Sequence, residues 1–277
     1  MSSADHGLRQ WLEANPVLVP LARVQGAVAQ AAAAVASPPV ALPPLDAHAD
    51  AYRRGIALLR TKAHGTPLAA AGAVVLGAVA GGVAAAPLPS RIAAGFAEVA
   101  RALSTDEARS AAVAWLLAGG DEAAAPVQAG LLRLVGWAAM GRVLAPLVEP
   151  FAAWREEAAW GRPACPTCGQ LPVMAQLVTE GEARRRFLVC GCCPTRWPFK
   201  RVGCPYCGSE DPARLDVIEL GPSGERLDVC EACKGYVKTY VGAGREVLLL
   251  ADWTTLVLDA MAVERGYARR GASLFDL

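Results

Sequence analysis

Nine cysteines lie between residues 165 and 233, and eight of them form pairs separated by two residues. The four pairs are Cys165/Cys168, Cys190/Cys193, Cys204/Cys207 and Cys230/Cys233. A Cys-x-x-Cys pair places two sulfurs on one tight turn, where both can bind the same metal ion. Because a structural metal site with thiolate ligands is tetrahedral and takes four of them, the four pairs predict two four-cysteine sites.

The four pairs also form an internal repeat, since each cysteine of the first two pairs recurs 39 or 40 residues later. A near-constant step indicates one small unit copied once. The repeat favours sequential pairing, although an interleaved cross-brace remains open. In the sequential arrangement, site one consists of Cys165, Cys168, Cys190 and Cys193, and site two of Cys204, Cys207, Cys230 and Cys233. Cys192 is then a ninth thiol outside both sites.

Two of the pairs have the form Cys-Pro-x-Cys-Gly, at residues 165–169 and 204–208. Proline fixes the turn and glycine tolerates positive φ, so backbone N–H groups can point at the sulfurs. Rubredoxins and zinc ribbons share this knuckle, and thiolates bind iron and zinc alike, so the spacing does not choose the metal. A thioredoxin-like dithiol needs only one pair, and four repeated pairs argue against it.

Composition limits the class of protein. A length of 277 residues suits about two domains, and a net charge of +1 gives no long-range attraction to nucleic acid or an anionic membrane. The first twenty residues carry Asp5, Arg9 and Glu13 and contain no apolar core, which predicts that a secretory signal is absent. Cysteine pairs in such a chain indicate metal ligands in a reducing, cytoplasmic compartment.

Residues 1–160 contain no cysteine and are rich in alanine, which predicts an all-α domain. We expect helices over the first thirty-five residues and over 46–65, 90–103, 104–118, 127–148 and 151–161. The uncharged run 68–86 is long enough to span a membrane. Its Ala, Gly and Val content and the lack of an aromatic belt favour a buried helix instead. The histidines of this half, His6, His48 and His64, are predicted to be surface or capping residues.

The cysteine-bearing half divides by its repeat. We predict a first module at 161–201, a second at 202–245, and a C-terminal helix and tail at 246–277. A hairpin in each module, 171–178 with 186–189 and 214–220 with 226–229, would lead from one knuckle to the next. Because units of this size bury little apolar surface, metal binding should supply much of their stability. The predicted fold class is therefore an α-helical bundle followed by two tandem rubredoxin-like or zinc-ribbon-like modules and a C-terminal helix.

Basic residues interleaved with aromatic ones suggest a second interpretation, a nucleic-acid surface. The residues concerned are Arg184, Arg185, Arg186, Arg196, Trp197, Phe199, Lys200 and Arg201. The net charge of the Lys, Arg, Asp and Glu side chains over residues 160–240 is +2, and eight thiolates with two divalent ions would change it to −2. These basic residues therefore offset the metal–thiolate charge. This balance argues against nucleic-acid binding.

No nucleophile, phosphate loop or carboxylate pair stands out in the sequence. A site closed by four thiolates leaves no open position for a substrate. We therefore predict that the chain is not an enzyme and has no catalytic residues.

The cysteine-bearing half resembles the formate dehydrogenase accessory protein family, FdhE. The resemblance rests on the knuckle motifs above, with Trp197 and Arg201 after the second pair and Tyr236 and Lys238 after the fourth. The tail segments Leu256-Val257-Leu258-Asp259-Ala260 and Gly266-Tyr267-Ala268-Arg269 also look like the end of that family. Departures are the extra Cys192, and Ala272 and Leu274 where the family pattern has Asn and Pro.

The resemblance implies a cytoplasmic maturation factor, or chaperone, that binds the molybdenum-containing catalytic subunit of formate dehydrogenase before its export. It also implies rubredoxin-like folds that hold iron at both sites, with zinc as the alternative. Two rival functions stay open from the residues themselves: a rubredoxin-like electron carrier and a zinc-ribbon nucleic-acid-binding protein. The sequence leaves open whether the chain forms a homodimer and which surface binds a partner.

Overall fold

The structure, a computed structural model, describes residues 11–181, 183–193, 195–219, 225–242, 252–271 and 273–274. The helices are α1 (Val19–Ala34), α2 (Ala49–Arg53), α3 (Lys62–Ala84), α4 (Ser90–Ala102), α5 (Asp106–Ala118), α6 (Ala129–Trp154), α7 (Glu157–Trp160) and α8 (Leu256–Glu264). The strands are β1 (Pro172–Glu180), β2 (Ala183–Cys190), β3 (Arg196–Phe199), β4 (Leu215–Glu219), β5 (Glu225–Cys230), β6 (Gly235–Val241) and β7 (Ala268–Arg269). The predicted fold class, helices followed by two small four-cysteine modules and a C-terminal helix, is confirmed.

The described chain forms two compact units. One contains residues 11–42 and 65–145, and the other contains residues 43–64 and 146–274. These two units are defined by spatial contacts. The predicted domain boundaries at residues 160, 201 and 245 were placed from composition and from the cysteine repeat, and they stay predictions.

The first unit is helical and owes its core to apolar positions on α3, α4, α5 and α6. Leu76, Phe96, Leu116 and Met140 are almost completely buried there. Gly72 allows close packing, because a Cβ at this position would overlap the sulfur of Met140. Helix α6 is longer than the predicted 127–148 and continues to Trp154 with two prolines inside it.

Three helix predictions are wrong in detail. The first thirty-five residues do not form one helix, because the helix is interrupted at Asn15 and a 3₁₀ turn at Pro16–Leu18 precedes α1. No single helix covers 46–65, because Gly55 adopts a left-handed φ of 76° and ends α2. A 3₁₀ turn at Leu58–Arg60 and the start of α3 at Lys62 follow. Nor is there one helix over 151–161, since α6 ends at Trp154 and the separate short helix α7 begins at Glu157.

Among the described residues, three helical segments are long and apolar enough to cross a membrane, judged by length and composition alone. They are Pro16–Ala34, Lys62–Ala84 and Ala129–Trp154. The second includes most of the uncharged run that the sequence singles out. The absence of a membrane role stays a prediction.

The second unit is built on one continuous sheet with the strand order β3-β2-β1-β6-β5-β4, to which β7 adds beside β6. Both predicted hairpins are confirmed, as β1 pairs with β2 and β4 with β5 in antiparallel register. Strand β1 of the first module pairs in parallel with β6 of the second, with Met174 opposite Lys238 and Leu177 opposite Val241. The two modules are therefore joined by backbone hydrogen bonds.

Helix α8 covers one face of the second module. Its Leu258 and Ala262, four residues apart, pack against Leu227 and Val229 of β5 and Tyr236 of β6. Residues four apart lie on the same side of a helix, and alternate residues lie on the same face of a strand, so this contact fixes which sheet face is covered. The other face carries Asp228, Cys230 and Val237.

Candidate metal centres

The eight paired cysteines gather into two groups of four in the structure, Cys165, Cys168, Cys190 and Cys193, and Cys204, Cys207, Cys230 and Cys233. Within each group the four sulfurs lie within 4.8 Å of one another. Each group combines a knuckle that precedes a hairpin with a knuckle at the end of that hairpin's second strand. This arrangement is the sequential one and not the cross-brace.

The first group has sulfur–sulfur distances of 3.5 Å between Cys165 and Cys193 and 3.4 Å between Cys168 and Cys190. In the second group, Cys204 lies 3.7 Å from Cys233, and Cys207 lies 3.7 Å from Cys230. A tetrahedral ion with metal–sulfur bonds of about 2.3 Å would space its ligands by about 3.8 Å. The residues therefore fit a four-thiolate zinc or iron ion, and metal binding itself stays a prediction.

Backbone N–H groups point at the sulfurs, as the knuckle motif predicts. The amides of Cys192 and Cys193 donate to the sulfur of Cys190, and that of Tyr206 donates to Cys204, each at 3.4 Å. The glycines that end the two Cys-Pro-x-Cys-Gly motifs have positive φ, 83° at Gly169 and 77° at Gly208. Such hydrogen bonds stabilise thiolate charge and would tune the potential of a bound iron.

The two groups differ in their exposure to solvent. All four cysteines of the first group are buried. The backbone also encloses this site, because Leu58 N–H and Leu59 N–H donate to the carbonyls of Pro166 and Thr167, each at 2.9 Å. In the second group, Cys207 is exposed and Cys233 is half-buried. A reagent in solution therefore reaches the second group more readily than the first.

The protein environment acts unequally on the thiols. Burial raises the pKa of Cys204 to about 12. The backbone N–H of Ser209 lowers the pKa of Cys207 below its usual value. Since thiolates and not thiols bind metal, an ion entering the second group must displace protons from at least some of these sulfurs.

Cys192 lies outside both groups of four. Its side chain is only 5% exposed, and its backbone N–H donates to the sulfur of Cys190. It follows that the ninth cysteine contributes to the second knuckle of site one through its main chain.

The expectation that His48 and His64 are surface or capping residues is wrong. Both are buried, with ring centroids 5.7 Å apart, in an aromatic cluster with Tyr52, Phe151 and Trp154. Burial, and secondarily His64, lower the pKa of His48 from 6.5 to about 4. Composition gave no sign of this cluster, because its members are up to 106 positions apart. His6 lies outside the described residues.

The basic and aromatic residues proposed as a nucleic-acid surface make contacts within the protein. Trp197 is 1% exposed, and its Nε1 donates to the carbonyl of Arg162 at 3.1 Å. Arg186 is 4% exposed and donates to the carbonyl of Gly203 at 2.9 Å. Lys200 forms an ion pair with Glu210. Trp197 and Arg186 therefore cannot stack on bases, whereas Arg184, Arg185 and Arg201 are exposed, and the nucleic-acid alternative stays an untested prediction.

A buried ionic network ties the C-terminal segment to the sheet. Lys238 of β6 lies 2.9 Å from Asp252 Oδ1 and 2.8 Å from Asp259 Oδ2. Arg269 contacts the same two carboxylates at 3.1 and 2.6 Å. Tyr236 donates to Asp259 at 2.7 Å. Four of these five residues belong to the segments that resemble FdhE, which was the only sequence signal for the network.

Comparisons with known proteins agree with the resemblance. The family described as FdhE, central domain, matches residues 164–201. A protein FdhE homolog of Pseudomonas aeruginosa is 34% identical over 124 residues, which cover 41% of this chain and 39% of that protein. A homolog of Stutzerimonas stutzeri is 32% identical over 113 residues, covering 40% and 37%. The aligned regions thus span less than half the length of these curated relatives.

The fold can be compared over a longer stretch. The crystal structure of the FdhE protein from Pseudomonas aeruginosa matches with a TM-score of 0.63 at 22% identity, covering 93% of this chain and 87% of that one. At this identity the likeness concerns the fold. The resemblance predicted from the cysteine motifs is confirmed by the match of residues 164–201 to the family model and by these relatives.

Proposed function

We propose that this chain is a non-enzymatic accessory factor for formate dehydrogenase. It binds the catalytic subunit in the cytoplasm before or during its assembly and export. The observation that carries the proposal is the match of residues 164–201 to the FdhE central domain, which includes all four cysteines of site one. The named relatives are FdhE homologs, and the accessory role is the one that the resemblance to FdhE implies.

The two metal ions order the surface that binds the subunit. Each would be held by four thiolates on two knuckles of one module, and the pairing of β1 with β6 connects the modules. Iron is the favoured metal, with zinc as the alternative. Bound iron would supply a one-electron redox centre, which would let binding depend on oxidation state.

The proposal is tested by co-purification. The tagged catalytic subunit of a formate dehydrogenase is expressed with the wild-type chain or with the double variant Cys204→Ala, Cys207→Ala, which removes half of the second group. Recovery of the double variant should fall at least tenfold. Cys192→Ala is the matched control, because it removes a buried cysteine of the same half that lies outside both groups. Equal recovery of wild type and double variant would refute a role for the second site.

The identity of the metal is tested on protein purified without oxygen. Elemental analysis should find about two ions per chain, as the two groups of four thiolates require. A red ferric–thiolate absorption supports iron, whereas a colourless protein that contains zinc would show that the bound metal is zinc.

The exposure of Cys207 favours a second candidate function, an electron carrier of the rubredoxin type. Electron transfer needs a metal close to solvent, and the second site meets that condition better than the enclosed first site. A reversible one-electron couple with rapid turnover by a reductase would support this function. If the protein has no reversible redox couple but still binds the catalytic subunit, the electron-carrier function is excluded.

A further inference from the structure

Arg155 is a buried arginine that lies beside site one. It directly follows Trp154, the last residue of α6, and only 7% of its surface is exposed. Its guanidinium carbon lies 5.4 Å from the ring centre of Phe151, and its Nη2 donates to the backbone carbonyl of Arg196 at 3.2 Å. Arg155 and site one belong to the same compact unit.

The contact with the carbonyl of Arg196 places the guanidinium next to the segment that holds the second knuckle of site one. The preceding residue, Thr195, accepts a hydrogen bond at its carbonyl from the N–H of Cys190 at 3.0 Å. The hydroxyl of Thr195 lies 3.3 Å from the sulfur of Cys193. Burial lowers the pKa of Arg155, and the groups that raise it include Cys165 and Cys193. The arginine therefore lies within electrostatic reach of two ligands of site one.

No carboxylate balances the charge of Arg155 within the part of the chain that the structure describes. Its Nη1 is shielded from solvent, and no described group accepts a hydrogen bond from it. The neighbouring Glu156 and Glu157 are exposed, and Glu157 pairs with Arg185 instead. Burying a cation is costly unless a nearby anion compensates it, so the compensating charge must come from another group.

Site one supplies that charge when it is loaded. Four thiolates leave a net charge of −2 around a divalent ion and of −1 around a ferric ion. Because all four cysteines are buried, solvent screens this charge weakly. Two other arginines close to the first knuckle, Arg60 and Arg162, are exposed and well screened. Arg155 is buried and stays protonated, so its charge acts on the site at close to full strength.

We propose that Arg155 is the counter-cation of site one, and that its charge sets both the affinity of the four thiolates for a divalent ion and the reduction potential of a bound iron. It acts through its electric field and is not a ligand. The ferrous site carries one more negative charge than the ferric site, so a nearby cation favours the reduced form and raises the potential. The inference rests on the predicted metal binding at site one and is independent of the accessory role.

Competition for zinc between the full-length chain and a chelator tests the affinity, and gives one binding constant for each site. Arg155→Gln removes the charge but keeps an N–H donor, and should weaken one constant by about tenfold or more and spare the other. Arg155→Lys keeps the charge and should restore the wild-type value to within about threefold. In the double variant Cys204→Ala, Cys207→Ala, the constant that remains should be the one that Arg155→Gln weakens.

Three results overturn the proposal: unchanged constants in Arg155→Gln, equal weakening of both constants, or a loss in Arg155→Lys as large as that in Arg155→Gln. The last result would mean that the side chain holds the carbonyl of Arg196 and that its charge is irrelevant. A wild-type chain that binds no zinc at site one would refute the site and the proposal together. The accessory role is tested separately by co-purification, so either can fail alone.

Two further variants separate charge from packing and from net charge. Arg155→Met has no charge and suits the neighbouring ring of Phe151, and it should reproduce the loss even if Arg155→Gln fails to fold. Arg184→Gln removes an exposed arginine from the far end of β2, about 20 Å along the strand from Cys190, and should change neither constant. A loss in Arg184→Gln equal to that in the Arg155 variants would contradict the assignment.

The reduction potential provides a readout that depends on charge and has a fixed sign. In protein reconstituted with iron, Arg155→Gln should make one couple more negative by about 59 mV or more, which corresponds to a tenfold change in the ratio of ferrous to ferric affinity. Arg155→Lys should keep the wild-type potential. A potential that is unchanged or more positive in Arg155→Gln overturns the proposal.

Discussion

The ammonium group of Lys238, in strand β6, lies 2.8 Å from the carboxylate of Asp259, in helix α8, and only 1% of the lysine side chain is exposed. A second carboxylate, that of Asp252, lies 2.9 Å away. The backbone carbonyl of Asp252 accepts a further hydrogen bond from the same ammonium at 2.6 Å. The lysine is therefore fully coordinated at the place where the C-terminal segment meets the sheet.

Lys238→Met tests this network. The substitution keeps the apolar stem but leaves the buried carboxylate of Asp252 and the half-buried one of Asp259 with Arg269 as the remaining cation among the described residues. Removing one member of a buried ionic group costs roughly 3–5 kcal/mol, and urea unfolding of the metal-loaded protein should show a loss of that order. Lys200→Met is the control, because its partner Glu210 is exposed and a surface pair contributes at most about 1 kcal/mol. Equal effects of the two variants would contradict the network's role.

His48 predicts a pH dependence of stability. Its pKa is lowered from 6.5 to about 4 in the folded protein, so the unfolded chain binds a proton first as the pH falls. Stability contributed by the neutral ring is complete above pH 6.5 and is lost between pH 6.5 and about 4. Its titratable neighbours in the aromatic cluster are His64 and Tyr52.

His48→Phe keeps an aromatic ring in the cluster but cannot be protonated. From about pH 6.5 to about pH 5, the free energy of unfolding of wild type should fall by roughly 1–2 kcal/mol more than that of the variant. The comparison cancels the release of metal at acid pH, because both proteins share the cysteines. Parallel pH profiles would show that His48 does not titrate in this window.

Metal release should occur in two phases. All four cysteines of site one are buried, whereas Cys207 of site two is exposed, so a chelator removes the ion of site two first. The double variant Cys204→Ala, Cys207→Ala should lose the fast phase and keep the slow one. The double variant Cys165→Ala, Cys168→Ala should show the reverse. A single rate for both ions in wild type would contradict the difference in enclosure.

Gly271 limits how closely the tail approaches strand β1. A Cβ at this position would overlap the backbone carbonyl oxygen of Pro172, and a backbone atom of a paired strand cannot easily move. Gly271→Ala should therefore lower the free energy of unfolding by roughly 1–3 kcal/mol. Gly141→Ala, on α6 with open space around its Cβ, should instead stabilise by about 0.5–1 kcal/mol. Thermal unfolding followed by circular dichroism measures both, and a neutral Gly271→Ala would refute the close approach.

Sequence spacing determined the local structure of the metal centres. Both cysteines of a knuckle lie within four consecutive residues, so their closeness is a local property of the chain. The positive φ angles of Gly169 and Gly208 also follow from the motif itself. The hairpins between knuckles were predictable for the same reason, because each is a local pairing of neighbouring segments. The two groups of four sulfurs then form where each hairpin brings its knuckles together.

Only the tertiary structure decided what surrounds these local units. The pairing of β1 with β6 joins residues more than sixty positions apart and has no signature in either strand alone. The same holds for the buried positions of Arg186 and Lys238, whose types are usually exposed, and for that of His48, whose type is found both inside and at the surface. A polar side chain becomes buried when distant partners satisfy it, and those partners are known only once the chain has folded. Spacing thus determined which cysteines form the two groups of four, and long-range packing determined the enclosure of the first group and the anchoring of the tail.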